Sequence, residues 1–231
     1  MIETVPETGS TNADLAARLA RGDGVAEGAW LVADRQTAGK GRLGREWQDG
    51  AGNFMGSTLV HLRGGDPSPE TLALVAGLAV HDLVAAKVAA MLKWPNDVLV
   101  GGAKLAGILL ERAGNSVIVG IGVNLTKAPQ VEGRETIALA DLGHQAGRDG
   151  FAAALAQQFA ADLDRWRSFG LGPIIGRWIA AGHPVGTPLE VDDEGRRLSG
   201  TFAGLTDTGA LQLRLADGSL RAIHAGEVRI A

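Results

Sequence analysis

Apolar residues recur along this chain at two spacings, the 3.6-residue period of a helix and the two-residue period of a strand. Leu15, Leu19 and the intervening alanines mark a helix over residues 13–21. Ser10-Thr11-Asn12 stands just before it and offers the side-chain oxygens that cap a helix N-terminus. Residues 29–34 read as a buried strand, and 53–62 return to strand after a glycine-rich loop, 35–52, without clear periodicity. Ser68-Pro69 opens a helix reaching about residue 87, with proline at its first position. Its apolar stretch, 72–86, is interrupted by His81 and Asp82, so it reads as a core helix, not a membrane span. Residues 91–94 and 98–100 are short strands separated by Pro95-Asn96-Asp97. Gly101-Gly102 is a tight turn, and 104–112 with 116–124 complete a second hairpin. Residues 131–142 look irregular. Leu155, Phe159, Leu163 and Trp166 set out an amphipathic helix over 151–169, followed by a shorter one over 171–181.

The texture changes after Gly182-His183-Pro184. From 187 to 230 the chain is short strands between the turn dipeptides Glu194-Gly195, Thr208-Gly209 and Asp217-Gly218. About five strands in so short a stretch predict a small β-barrel. The expected organisation is therefore α+β: residues 1–183 as a mostly antiparallel sheet flanked by helices, and residues 184–231 as a second, all-β unit.

Composition narrows the class without naming the chemistry. The 231 residues suffice for one core, or for a core with a small satellite. A net charge of −4 argues against a general nucleic-acid binder, which carries a basic footprint. Basic residues are concentrated locally instead: Arg35, Lys40, Arg42 and Arg45 come before any acid interrupts them at Glu46. There is no cysteine, so disulfides, thiolate nucleophiles and thiolate metal sites are excluded, which fits a cytoplasmic protein. No signal peptide or membrane span is visible. His61, His81, His144, His183 and His224 show no metal-ligand spacing and read as structural or exposed.

Two segments carry the chemistry. The first runs Gln36-Thr37-Ala38-Gly39-Lys40-Gly41-Arg42-Leu43-Gly44-Arg45-Glu46-Trp47. Its glycines match the dinucleotide-binding spacing, but no helix follows, so that fold is rejected. The physics survives, because glycines admit a phosphate close to the backbone while Lys40, Arg42 and Arg45 neutralise it. The second runs Lys93-Trp94-Pro95-Asn96-Asp97, a turn, then Lys104-Leu105-Ala106-Gly107-Ile108. Pro95 ends a strand, Asn96 and Asp97 present polar groups at the turn, and Lys104 opens the next strand. Ala106 and Gly107 leave room for a ligand against the sheet.

Together these segments resemble the two diagnostic motifs of biotin protein ligases. Ser10-Thr11-Asn12, about 25 residues before Gln36, and Gly120-Ile121-Gly122-Val123-Asn124 add to the likeness, which runs from about Thr8 to Ile230. The resemblance implies a class II aminoacyl-tRNA-synthetase-like catalytic domain and a C-terminal SH3-like barrel. It implies ATP-dependent activation of biotin as biotinyl-5′-AMP, with Mg²⁺, and transfer to a lysine of a biotin carboxyl carrier domain. On that likeness Ser10, Thr11, Asn12, Gln36, Gly39, Lys40, Gly41, Arg42, Lys104 and Gly107 would face biotin. Arg42, Arg45, Trp47, Lys93, Asn96, Lys104 and Asn124 would face ATP. Lys104, Arg42 and Asp97 would carry the chemistry, with Asp97 orienting the acceptor lysine or holding Mg²⁺. Lys40 stands where arginine is frequent, and Leu43 where a further base is common. Many relatives carry an N-terminal DNA-binding domain; here the first motif begins within ten residues of the start, so no DNA-binding function is expected. Both monomers and dimers pairing through the central sheet occur in the family. A lipoate ligase shares the fold and is the nearest alternative. Octanoyl transferases of the thioester type need a cysteine that this chain lacks. A non-catalytic sensor of biotin or nucleotide is the other alternative.

Overall fold

The computed structural model describes residues 1–48, 50–193 and 195–230. Glu194, half of one expected turn, and Asp49 in the glycine-rich loop lie outside the described residues.

Among the described residues, twelve strands form two sheets. The larger contains β1 (Ile2–Thr8), β2 (Trp30–Gln36), β3 (Phe54–His61), β4 (Ala90–Lys93), β5 (Asp97–Val100), β6 (Ala103–Ala113) and β7 (Ser116–Val123), in the order β1-β2-β3-β7-β6-β5-β4. Only β1 and β2 run parallel; all other neighbours are antiparallel. β1 was not expected. Its residues are mostly exposed, so the two-residue alternation that reveals an inner strand is missing.

The period-two alternation divides the sheet's faces. Trp30, Val32, Phe54, Val60, Val117, Val119 and Ile121 join the main core. That core is completed by α2 (Leu72–Ala85), α3 (Arg148–Phe169) and α4 (Gly172–Ala181). Leu31, Leu59 and Ile118 point to the other face, where Leu15 of α1 (Thr11–Ala20) covers them. Residues directly paired across strands share a face. Leu31 pairs with Ser57, Ser57 with Gly120, and Gly107 with Gly122. On the α1 face beyond Leu31, Ser57, Gly107, Gly120 and Gly122 thus present little or no side chain between Met55 and Leu109, and leave room over the sheet there.

The second sheet comprises β8 (Pro188–Asp193), β9 (Arg196–Leu205), β10 (Leu211–Arg214), β11 (Leu220–Ile223) and β12 (Glu227–Ile230), in the order β11-β10-β9-β8-β12 and wholly antiparallel. Its apolar residues Leu189, Val191, Phe202 and Leu213 belong to the same continuous core as the first sheet. Trp94 Nε1–H donates to the Gly209 carbonyl at 3.2 Å and ties the two sheets together beside the Pro95 turn. No helix among the described residues is long and apolar enough to cross a membrane.

Candidate active site

Two adjoining cavities open where the small-residue face of the first sheet meets the glycine-rich loop. Ser10, Thr11, Asn12, Gln36 and Ser57 line the inner one. The outer one, of about 530 Å³, is lined by Arg45, Lys93, Asp97, Asn124, Arg134 and Glu227, among others. Gly41, Arg42, Trp47, Asn96 and Lys104 line both and form the junction.

The inner cavity is held by a dense set of hydrogen bonds. Ser10 caps α1, its Oγ accepting from Ala13 N–H at 3.5 Å, so capping and cavity lining coexist in one residue. The start of α1 places Thr11 against the end of β2. There Gln36 Oε1 accepts from Thr11 N–H at 2.7 Å and lies 3.0 Å from Thr11 Oγ1. Thr11 Oγ1 lies 2.6 Å from Ser57 Oγ, which donates to Asn12 Oδ1 at 2.6 Å. Asn12 Nδ2 donates in turn to Glu111 Oε2, also at 2.6 Å.

The loop is more ordered than its irregular sequence suggests. Lys40 and Glu46 form an antiparallel bridge, Gly41 N–H donates to Arg45 O at 2.7 Å, and Trp47 N–H donates to Gly39 O at 2.9 Å. This narrow hairpin lays the Trp47 ring over the sheet. A Cβ at Gly122 would lie 2.3 Å from Trp47 Cε2 and Cζ2, so the ring occupies the space that glycine leaves. Lys104 Nζ sits 5.7 Å from the same ring's centroid. Gly39 departs from the expected role of ligand contact. It lines neither cavity, and its carbonyl accepts from Trp47 N–H. Lys40 lines the inner cavity from its exposed rim, and Gly107 forms part of its floor.

Lys104 is anchored from both sides. Its N–H donates to Glu135 O at 2.8 Å, and its carbonyl accepts from Ile137 N–H at 3.0 Å. The stretch expected to be irregular is therefore a backbone clamp on this lysine. Lys104 Nζ pairs with Asp97 at 2.6 Å. Burial pushes the Lys104 ammonium below its ordinary range, and the Asp97 charge opposes that. Asn96 is locked to β6 by two bonds with Ile108, N–H to Asn96 O at 2.9 Å and Asn96 Nδ2 to Ile108 O at 2.8 Å. Its Oδ1 then accepts from Arg42 Nη1 at 3.1 Å. Arg42 also reaches Gly226 O at 3.4 Å, and burial lowers its pKa.

The second sheet closes the outer cavity. Glu227 accepts from Arg45 at 2.5 Å and from Arg134 at 3.3 Å, and Arg134 lies 3.8 Å from Asp97. Arg45 holds the Glu227 carboxyl below its usual range. Lys93 lines this cavity, and burial lowers its pKa. Asn124 Nδ2 donates to Lys104 O and Ile137 O at 3.3 and 3.2 Å, while its Oδ1 is buried without a partner.

All the other expected site residues line one or both cavities. Glu227 belongs to the Gly226-Glu227-Val228 stretch, part of the C-terminal likeness that implies ATP and acceptor handling; three further residues were not singled out from sequence. Ser57 had a signal, a small polar residue at an inward position of an apolar strand. Glu111 and Arg134 had none, since each reaches the site through a partner 93 or more positions away, Asn12 for Glu111 and Glu227 for Arg134.

The cationic junction, with a small polar cavity on one side and a larger charged one on the other, suits the joining of a small acid to a polyanion. The Biotin/lipoate A/B protein ligase family model matches residues 10–127, and that of the Biotin protein ligase C terminal domain matches residues 186–230. A biotin–[acetyl-CoA-carboxylase] ligase of Paracoccus denitrificans is 39% identical over 238 residues, covering 96% of this chain and 97% of its own. One of Mycobacterium tuberculosis is 38% identical over 84% of this chain and 81% of its own. Among solved structures, the biotin protein ligase of Aquifex aeolicus in complex with biotin and ATP superposes with a TM-score of 0.89. It has 26% identity, covering 100% of this chain and 99% of that one.

Proposed function

The chain belongs to the biotin/lipoate A/B protein ligase family, and from that premise we propose that it is a biotin–[acetyl-CoA-carboxylase] ligase using the two joined cavities. Biotin occupies the inner cavity, where Thr11, Gln36 and Ser57 supply hydrogen-bonding groups suited to a ureido ring. ATP occupies the outer one. The biotin carboxylate attacks the α-phosphorus; a new P–O bond forms, the bond to the β-phosphate breaks, and pyrophosphate leaves. The lysine amine of a carrier domain then attacks the acyl carbon of biotinyl-5′-AMP, loses a proton and expels AMP.

The observation that carries this reading is the junction itself. Lys104 and Arg42 line both cavities, so both would face the carboxylate and the phosphate between which the bond forms. Two anions repel on approach, and a fixed, partly desolvated cation between them offsets this and stabilises the charge developing at phosphorus. Asp97 keeps Lys104 pointed at the junction. Trp47 would exclude water from the mixed anhydride.

For the metal that accompanies ATP, the Asp97 carboxylate and the unpartnered Asn124 Oδ1 are oxygen donors in the outer cavity. No group of three or more His, Asp or Glu suited to a metal occurs among the described residues. These residues fit Mg²⁺ arriving with the triphosphate, whose charge it neutralises.

The test is pyrophosphate release with MgATP and either biotin or lipoate, without acceptor. The reading expects release with biotin that stops near one turnover while the adenylate is retained. Release with lipoate alone would refute the substrate. Biotin binding without release from either would make the protein a sensor.

A further inference from the structure

Glu111 ends a hydrogen-bonded chain that starts in the inner cavity, yet it does not line that cavity itself. Its carboxylate only accepts hydrogen bonds. By accepting from Asn12 Nδ2 at 2.6 Å it turns the amide so that Asn12 Oδ1 faces Ser57. The Asn12 amide fills the space that Gly120 leaves beneath it, since a Cβ there would lie 2.4 Å from Asn12 Oδ1, so what sets which way the amide faces is its hydrogen-bond partners. Ser57 has one hydroxyl proton, and it goes to Asn12 Oδ1 at 2.6 Å. Ser57 must then accept at its other contact, 2.6 Å from Thr11 Oγ1. That commits the Thr11 proton to Ser57. The remaining contact, Thr11 Oγ1 to Gln36 Oε1, is the longest at 3.0 Å, and Gln36 Oε1 is already supplied by Thr11 N–H. Two hydroxyl protons serve three contacts, and this assignment fills both short ones and leaves no buried acceptor empty.

The consequence reaches the ligand. With its proton committed to Ser57, Thr11 Oγ1 offers a lone pair, not a proton, to the cavity it lines. We propose that Glu111 is a positioning residue for biotin: through Asn12 and Ser57 it fixes the direction of the chain and makes Thr11 an acceptor for a ureido N–H. The proposal rests on the biotin ligase reading of the inner cavity. Neutral amides at both 12 and 111 would let either side chain turn over, and the chain would lose its fixed sense.

A charge swap tests this. In Glu111→Gln the acceptor is no longer obligatory. In Asn12→Asp two carboxylates face each other. In the double variant the glutamine N–H donates to the aspartate, whose second oxygen again accepts from Ser57, so the original direction returns. In pyrophosphate-release assays each single variant should raise the biotin KM about 10-fold or more, the scale of one misdirected buried hydrogen bond. In Glu111→Gln the KM for ATP and the kcat at saturating biotin should stay within about twofold, and the double variant should recover most of the lost affinity. An unchanged biotin KM in Glu111→Gln, or a double variant no better than the worse single one, would overturn the proposal. Glu111 is only half-buried, so its variant decides the matter even if Asn12→Asp does not fold. Biotin binding to the parent protein, measured by calorimetry, separates the two readings. A parent that neither binds biotin nor releases pyrophosphate overturns the ligase assignment and this inference together. A parent that does both, beside unaltered variants, overturns this inference alone.

Discussion

Gly122→Ala should disable the enzyme without unfolding it. Gly122 is paired on both sides, to Met55 and to Gly107, in the middle of the first sheet. Its backbone therefore has nowhere to go. The added methyl would stand 2.3 Å from two atoms of the Trp47 ring and 2.9 Å from a third. Carbon atoms rest about 3.5–4.0 Å apart, so the ring must withdraw by roughly 1.2 Å or more. Trp47 is on the loop and can lift, so the strain is relieved there and the cost to folding stays below the ~1–3 kcal/mol typical of overpacking. Catalysis has no such relief. Trp47 walls both cavities and lies against Lys104 Nζ, and a displacement of about 1 Å at a reacting junction costs on the order of 10²-fold. The assay is biotin-dependent pyrophosphate release, beside a melting curve. Trp47→Ala and the double variant complete a cycle. If the harm flows through Trp47, adding Gly122→Ala to Trp47→Ala should cost little more. Wild-type kcat/KM in the single variant, or full additivity in the double one, would refute the reasoning.

Lys104→Ala should lower adenylate formation by roughly 10²-fold or more, the scale for losing one preorganised charge-stabilising group. Arg134, 3.8 Å from Asp97, remains to keep that carboxylate from standing alone, so the variant should stay folded by circular dichroism. Near-normal pyrophosphate release would defeat the assignment. Stability should also fall in acid in two stages. His183 is buried edge-on to Phe202 with both ring nitrogens unpartnered, and burial, aided by Lys93, lowers its pKa from 6.5 to about 4. The folded state resists a proton that the unfolded chain accepts. Stability present above pH 6.5 is therefore lost as pH falls towards about 4, by on the order of 3 kcal/mol. Glu27, held at about 2 chiefly by its hydrogen bond to Arg167, acts lower, between about pH 4.5 and 2. Urea unfolding of His183→Phe should show a flatter slope between pH 6.5 and 4.5 than the parent; equal slopes would refute the burial argument.

The legible parts of the site were those written in short stretches of chain. The loop from Gln36 to Trp47 and the turn from Lys93 to Lys104 each keep their chemistry within a dozen residues, so glycine, proline and charge spacing exposed them. The helices followed the apolar period, and the five strands after His183 followed their turn dipeptides. What stayed hidden depends on register. β1 offers no buried alternation to read, being an edge strand that borrows its order from β2. Residues 131–142 have no periodicity because their hydrogen bonds go to Lys104 and Asn124, not to a neighbouring strand of their own.

The same distinction explains how the site is built. The groups that would meet the reacting atoms, Arg42 and Lys104, sit in the two local motifs. The groups that aim them come from elsewhere: Asn96 holds Arg42 through β6, Glu135 and Ile137 clamp the Lys104 backbone, and Glu227 binds Arg45 from the second sheet. Electrostatic catalysis needs cations that do not reorganise when charge develops, and rigidity of that kind comes from many partners, not from one. An arginine and a lysine on an isolated glycine-rich peptide would be screened by water and would solvate themselves. With Lys104 beside Trp47 and paired to Asp97, and Arg42 held by Asn96 and Gly226 O, they keep their orientation and part of their desolvated field. The C-terminal sheet would thus be part of the reaction's machinery, since Gly226 O and the Glu227 carboxylate accept from the two arginines of the loop.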